Sequence, residues 1–395
     1  MKQKMIVFFI LGCILVVVLS FLSINYAQNF APVDESGGFS KERAMVAKNS
    51  NTKTNLKIER VSKTAILPYW NIPKKEELGE YEKLLYFGIS PEISGSILDD
   101  EGLQELYKFT SQNYLQKKGL VVKMLNNKTN TVLLEDPKTA DIFQNKAIEI
   151  AKTSGFDYIA LDLEVSSLPF EGVSDSITLF VKNFSQKADQ IGLEFEIILY
   201  GDLFKRGRPY DLKQFADVVD GVAIMAYDFH KSRGEPGPNF PFDAESSFPG
   251  KKTSYTYSFK EMIDDFLLVV GPEKLTVIFG MYGYDWALGP QGLPLKKATA
   301  ISLKVIEKEI LPRCGSENSL KNRPDTGNFV TGESKYQLCV LQKDTVSQEK
   351  RLQYSDIDGY RHELWFEDKE SAELKIAYLK EKGIGKVSYW VWGYY

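Results

Sequence analysis

The stretch Asp157-Tyr158-Ile159-Ala160-Leu161-Asp162-Leu163-Glu164 reads as one β-strand. Side chains on a strand alternate between faces. Ile159, Leu161, Leu163 and Val165 share an aliphatic face suited to packing beneath helices. Tyr158, Ala160, Asp162 and Glu164 share the other face. An inner face that ends in two carboxylates fits a strand of a parallel barrel, where the active site lies at the C-terminal ends of the strands. Two close carboxylates repel, so one holds its proton and the pair offers a protonated acid beside an ionised base. Glycoside hydrolysis uses that division of labour. An isolated D-x-E is a common pattern and more often marks a solvated Asp and Glu just past a buried strand.

Outward from this strand, β-rich runs alternate with helical patterns. The runs are Ala65–Trp70, Leu84–Ile89, Leu120–Leu125, Tyr158–Val165, Phe195–Tyr200, Gly221–Tyr227, Leu275–Tyr282 and Lys386–Trp392. Helical patterns cover Gly102–Lys118, Ala140–Thr153, Ser176–Ile191, Leu212–Val219, Phe259–Val270 and Lys369–Lys382. Such alternation predicts βαβ units and a parallel sheet, and eight strands predict a closed (β/α)8 TIM barrel over residues 64–395. Between Trp286 and Trp365 the alternation stops for longer than a bare loop allows. This segment predicts a small α+β lobe inserted after the seventh strand, at about 287–364.

The N-terminus places Lys2 and Lys4 before an apolar run from Met5 to Ile24. About 20 apolar residues span a bilayer, and leading positive charge keeps the short side cytoplasmic. Residues 1–27 thus read as a membrane anchor or as a signal peptide cut near Ala27, and either exports the rest. Residues 28–63 are polar without periodicity and read as a linker. Of the three cysteines, Cys13 lies in the apolar run, which leaves Cys314 and Cys339 as a candidate disulfide in an exported chain. With 49 Lys+Arg against 53 Asp+Glu and no basic block, nothing suggests a nucleic-acid partner. His230 and His362 are the only histidines and have no cysteine pair near them, so no metal site is expected. No glycine-rich phosphate loop calls for a nucleotide cofactor.

Asp157–Glu164 resembles the D-G-x-D-x-D-x-E signature of glycoside hydrolase family 18, the chitinase family. Four further segments resemble that family in the right order: MAYD at Met225–Asp228, KLTVIFGMYGYDW at Lys274–Trp286, HELWFED at His362–Asp368, and GIGKVSYWVW at Gly383–Trp392. The YGYDW wording and PGPNFP at Pro236–Pro241 are similar to the bacterial branch that includes spore-germination and cell-wall hydrolases. Three positions depart from the pattern. Tyr158 stands for the signature's Gly, Ala160 for its middle Asp, and Val391 follows the floor Trp where an acidic residue is frequent. In the family the middle Asp helps manage the charge and rotamer of the Asp two residues on.

The resemblance implies substrate-assisted retention, an exception to the two-carboxylate scheme. Glu164 would protonate the glycosidic oxygen while the substrate's N-acetyl carbonyl attacks C1. Asp162 would orient the acetamido N–H, and Tyr227 would hold the carbonyl. Trp390 would floor the subsite, with Met225, Asp228 and Tyr282 lining it. From periodicity alone Tyr227, Met225 and Trp390 read equally as barrel core, and Asp228 as a turn residue. The implied partner is an N-acetylglucosamine-containing polysaccharide, chitin-type or peptidoglycan. The alternative is a non-catalytic lectin on the same barrel; such relatives usually lose the acid, which this chain retains as Glu164.

Overall fold

Thirteen strands are present among the residues that the computed structural model describes, 58–165, 171–245, 255–314 and 337–395. They are β1 (Ser62–Pro68), β2 (Lys83–Ile89), β3 (Lys117–Met124), β4 (Tyr158–Leu163), β5 (Glu194–Tyr200), β6 (Gly221–Ala226), β7 (Leu275–Gly280), β8 (Tyr282–Leu288), β9 (Thr299–Ser302), β10 (Gln337–Lys343), β11 (Lys350–Ser355), β12 (Arg361–Phe366) and β13 (Lys386–Trp390). Strands β1 to β7 follow one another around a closed barrel, and β13 pairs with both β7 and β1 to shut it. All of these pairings are parallel. The segment expected to anchor or export the chain, residues 1–27, and residues 28–57 of the linker lie outside the described residues. Among the described residues no helix is long and apolar enough to cross a membrane.

The alternation along β4 sorts its side chains. Ile159, Leu161, Leu163 and Val165 join the outer core, which includes Phe143, Ala147 and Ala151 of helix α1 (Pro137–Thr153) and Ile177, Phe180 and Phe184 of helix α2 (Val173–Asp189). Burying each such aliphatic or aromatic side chain contributes about 1.5–3 kcal/mol. Tyr158 and Ala160 face inward with Ile66, Leu85, Val121, Ile198, Ala223, Met225 and Ile278. Tyr158, which replaces the signature glycine, fits because β3 supplies Gly119 beside it. A Cβ on Gly119 would lie 2.2 Å from the Tyr158 ring.

An antiparallel sheet ordered β10-β11-β12-β8-β9 is inserted between β7 and β13. It takes in residues beyond the 287–364 read from sequence. Met281 alone separates β7 from β8, and β8 already pairs with β12, Gly283 opposite Phe366. Cys314 and Cys339 are disulfide-bonded in this lobe, with Cα atoms 5.5 Å apart.

Local readings change as well, and the helix expected over Leu212–Val219 covers only Leu212–Phe215. The helix expected over Gly102–Lys118 is two short pieces, Glu101–Gln104 and Leu106–Thr110, followed by β3. Lys117 and Lys118 already pair with Lys83 and Leu84 in the barrel. A helix at Asn127–Glu135, capped by the Asn126 side chain on Thr129 N, is additional. Its apolar residues Val132, Leu133 and Leu134 are contiguous and leave little helical period.

Candidate active site

Glu164 follows the last residue of β4 and is held on several sides. Its backbone N–H donates to Met124 O at 2.9 Å. Its backbone carbonyl accepts from Asn130 Nδ2 at 3.1 Å, and the same amide reaches Met124 O at 2.7 Å. The Tyr210 hydroxyl brackets the residue, donating to Leu163 O at 2.6 Å and accepting from Val165 N at 2.8 Å. The carboxylate itself accepts from the Tyr200 hydroxyl at 2.8 Å through Oε2. These contacts fix backbone and side chain together, and leave Glu164 partly exposed.

Asp162, two residues earlier on the same face, is buried. Burial pushes its carboxyl well above the usual carboxylate range, the charge of Glu164 adds to the rise, and Lys123 opposes it. Its Oδ1 is buried with no hydrogen-bond partner among the described residues. Lys123 is Asp162's register partner on β3, so the two side chains leave adjacent strands on one face. The Lys123 ammonium is also buried, 3.6 Å from Asp100, and lies over the rings of Tyr69 and Phe87 at 4.8 and 5.4 Å. Burial pulls its pKa down, against Asp100 and Asp162. Lys123 is thus the charged group on β3 that acts on Asp162, in a chain whose signature has Ala160 in place of its middle acid.

Trp390 ends β13, which lies opposite β4 around the barrel, and Tyr227 follows β6, two strands from β4. Their rings stack with centroids 6.5 Å apart, and Phe87 meets Trp390 edge-on at 4.8 Å. Burial holds the Tyr227 phenol well above its ordinary range, with the charges of Asp162, Asp228 and Glu164 adding to it. Tyr227 therefore stays a donor. The inner face of β7 must be empty here, because a Cβ on Gly280 would lie 2.7 Å from Tyr227 and from Tyr282. Met225 is buried in the barrel's inner core.

Asp228 adopts φ 60°, a left-handed conformation that Asp tolerates better than most residues. Its N–H donates to Asn239 Oδ1 at 2.8 Å. Its Oδ1 accepts from Tyr284 at 2.9 Å and also from Tyr282. Asn239 is held in turn: its side chain donates to Gly280 O at 3.0 Å, and its N–H donates to Glu349 at 2.6 Å. The structure therefore gathers Asp162, Glu164, Tyr227 and Trp390 at one end of the barrel, with Asp228 and Tyr282 joined beside Tyr227 through hydrogen bonding and ring contact.

A family model described as "Glycosyl hydrolases family 18" matches residues 98–394. The chain belongs to that family. The matched region starts after β2, so β1 and β2 complete a family 18 barrel from outside it. Among curated proteins, the cortical fragment-lytic enzyme of Bacillus anthracis is 23% identical over 347 residues, 84% of this chain and 71% of its own length. The enzyme of the same name from Bacillus subtilis is 24% identical over 267 residues, 66% of this chain and 52% of its own. The chain thus spans about half the length of that relative. The solved spore cortex-lytic enzyme of Bacillus cereus superposes with a TM-score of 0.61 at 23% identity, covering 85% of this chain and 72% of the other. At that identity the likeness speaks for the fold.

Several residues of this family 18 site escaped the sequence reading. Tyr200 and Lys123 are inward-facing polar residues near the C-terminal ends of β5 and β3, a placement visible once the strand parity is known. Trp70, half exposed, continues the ring line from Trp390 through Phe87 at 6.3 Å. The histidines are elsewhere. His230 bonds Pro238 O at 2.8 Å, and His362 sits in the lobe between Asp285 and Asp356 at 3.0 and 3.3 Å.

Proposed function

We propose that the chain hydrolyses glycosidic bonds next to N-acetylglucosamine by substrate-assisted retention. The observation that carries this reading is the buried Asp162 Oδ1, which has no hydrogen-bond partner among the described residues, beside a Glu164 clamped on several sides. A buried oxygen left unpaired costs about 1–3 kcal/mol, and an acetamido N–H from the substrate supplies the missing donor. Glu164 gives its proton to the glycosidic oxygen. The C1–O bond breaks with its electron pair on the leaving oxygen, and the substrate's acetamido carbonyl bonds to C1. The proton that burial keeps on Asp162 in the free protein passes to Glu164 once the acetamido N–H donates to Asp162, so Asp162 carries the charge that balances the resulting cation, and Tyr227 donates to the carbonyl oxygen and keeps it in line. Trp390 forms the floor against which the sugar ring stacks. Such alignment turns the attack into an intramolecular one, worth about 7–11 kcal/mol at best.

The relatives include cortical fragment-lytic enzymes and chitinases, which supports glycans that contain N-acetylglucosamine, and the apolar N-terminal run supports a chain that works outside the cytoplasm. Incubating the full chain with chitotetraose and with purified peptidoglycan, followed by mass spectrometry of the products and proton NMR of the new anomeric centre before mutarotation, tests the reading. It predicts fragments ending in N-acetylglucosamine with retained anomeric configuration. Ala160 is the observation that favours the second reading, a sugar-binding protein without turnover. Binding of both glycans with no new ends would establish it.

A further inference from the structure

We infer that Tyr200 is a positioning residue for the acid: it holds Glu164 through Oε2 and so dedicates Oε1 to the proton that goes to the leaving group. The inference rests on the proposed hydrolase reading and names a residue that the reading does not contain.

The geometry is specific. Tyr200 closes β5 and points to the barrel interior, sharing the inward parity of Ile198, Asp162's register neighbour. Its hydroxyl donates to Glu164 Oε2 at 2.8 Å. A carboxylic acid has one proton and two oxygens. A phenol that donates to one oxygen occupies it as an acceptor, which leaves the proton on the other. When Oε1–H passes its proton to the glycosidic oxygen, negative charge grows on the carboxylate. The Tyr200 hydrogen bond then becomes charge-assisted and strengthens. An interaction stronger in the transition state than in the ground state is what accelerates a reaction.

The ring is itself fixed. The Arg208 guanidinium carbon lies 3.5 Å from the Tyr200 centroid, and its Nε donates to Asp202 at 2.6 Å in a buried ion pair. Lys231 approaches the ring at 5.7 Å, and the Tyr210 ring at 6.5 Å. A cation over a phenol ring draws electron density from it and makes the hydroxyl a better donor. Burial, with the Glu164 charge adding, keeps the phenol far above its ordinary range, so it donates at every working pH.

The test is the leaving-group dependence of Tyr200→Phe, a change that keeps the ring under Arg208 and removes only the hydroxyl. Full-length protein is assayed on chitotetraose, whose sugar leaving group needs a proton, and on the 2,4-dinitrophenyl glycoside of N-acetylchitobiose, whose leaving group needs none. The inference predicts that turnover falls about 10–100-fold on chitotetraose, less than the roughly 10²–10⁴-fold that losing the acid itself would cost, and by less than about threefold on the dinitrophenyl substrate. An equal loss on both substrates means a structural or binding role and overturns the inference, as does no loss on either. Glu164→Gln is run alongside. If it keeps turnover on chitotetraose, or if the unmutated chain cleaves neither substrate, the hydrolase reading itself fails. If Glu164→Gln is inactive on chitotetraose while Tyr200→Phe shows no contrast, only the inference fails.

Discussion

Replacing Lys375 by methionine removes the ammonium that lies between Glu349 and Glu367. All three side chains are fully buried. Lys375, on helix α3 (Lys369–Glu381), donates to Glu349 at 3.0 Å and also to Glu367. Glu349 meanwhile accepts from the backbone N–H groups of Asn239 and Phe240 at 2.6 and 2.8 Å. The cluster therefore ties the inserted lobe to the segment that holds Asp228. Removing one partner of a buried ion pair costs about 3–5 kcal/mol, because the charge left behind is uncompensated. At roughly 2.1 cal/mol/K per residue, the Thr54–Tyr395 unit unfolds with about 0.7 kcal/mol/K, so Tm should fall by about 4–7 °C. The loss also depends on pH. Burial pushes the Glu367 carboxyl up to about 8, Lys375 pulls it down, and Glu349 adds to the rise. Between its ordinary value of 4.5 and its folded value, the folded state holds more protons than the unfolded chain, so stability falls as pH rises through that window. Without Lys375 that fall deepens. Calorimetric melts of both proteins at pH 5 and pH 8 should show the larger deficit at pH 8. A deficit below about 1 kcal/mol, or one equal at the two pH values, refutes the reasoning.

Other consequences can be checked separately. Lys123→Met removes the cation that opposes the raised Asp162 carboxyl; if ionised Asp162 is required, the acidic limb of the kcat profile moves to higher pH, and an unmoved limb contradicts this. Burial pulls His362 down, but Asp285 and Asp356 outweigh it and hold its pKa above the ordinary value of 6.5. The stability it contributes is therefore full below pH 6.5 and lost as pH rises through the folded pKa. His362→Gln should remove that pH dependence from the melting profile, and an unchanged profile counts against it. Asp162→Asn should cut turnover on chitotetraose severely while leaving the dinitrophenyl substrate equally impaired, because alignment of the acetamido group precedes departure of either leaving group; full activity on the activated substrate would contradict it.

How much was legible in the sequence depended on how local the signal was. Period-two alternation in Asp157–Glu164 separates the helix-facing and barrel-facing side chains, and the eight alternating runs give the barrel. The start of the lobe was hidden because Leu275–Tyr282 reads as one strand: the single Gly280 before Met281, where the chain leaves the barrel, fits equally a bulge within a strand. Tyr200 read as an ordinary strand former, since aromatic residues favour strands anyway. Lys123 meets Asp162 only through the β3–β4 register, and register between separate strands is not written in spacing. That the Asp162 carboxyl is raised was equally hidden, because its burial follows from the packed barrel and not from the spacing of the two acids. Glu349, Glu367 and Lys375 are charged residues that a sequence reading places on the surface; only the packed structure brings them together.

The central claim is that Glu164 is the acid, and turnover of Glu164→Gln on unactivated chitotetraose and peptidoglycan tests it most directly. The amide keeps the shape and can still accept from Tyr200, but it has no proton to give the leaving oxygen. The account predicts a fall in turnover of at least about 10²–10⁴-fold, with glycan affinity nearly unchanged. Near-normal turnover by Glu164→Gln on either substrate would place the acid elsewhere and contradict the account.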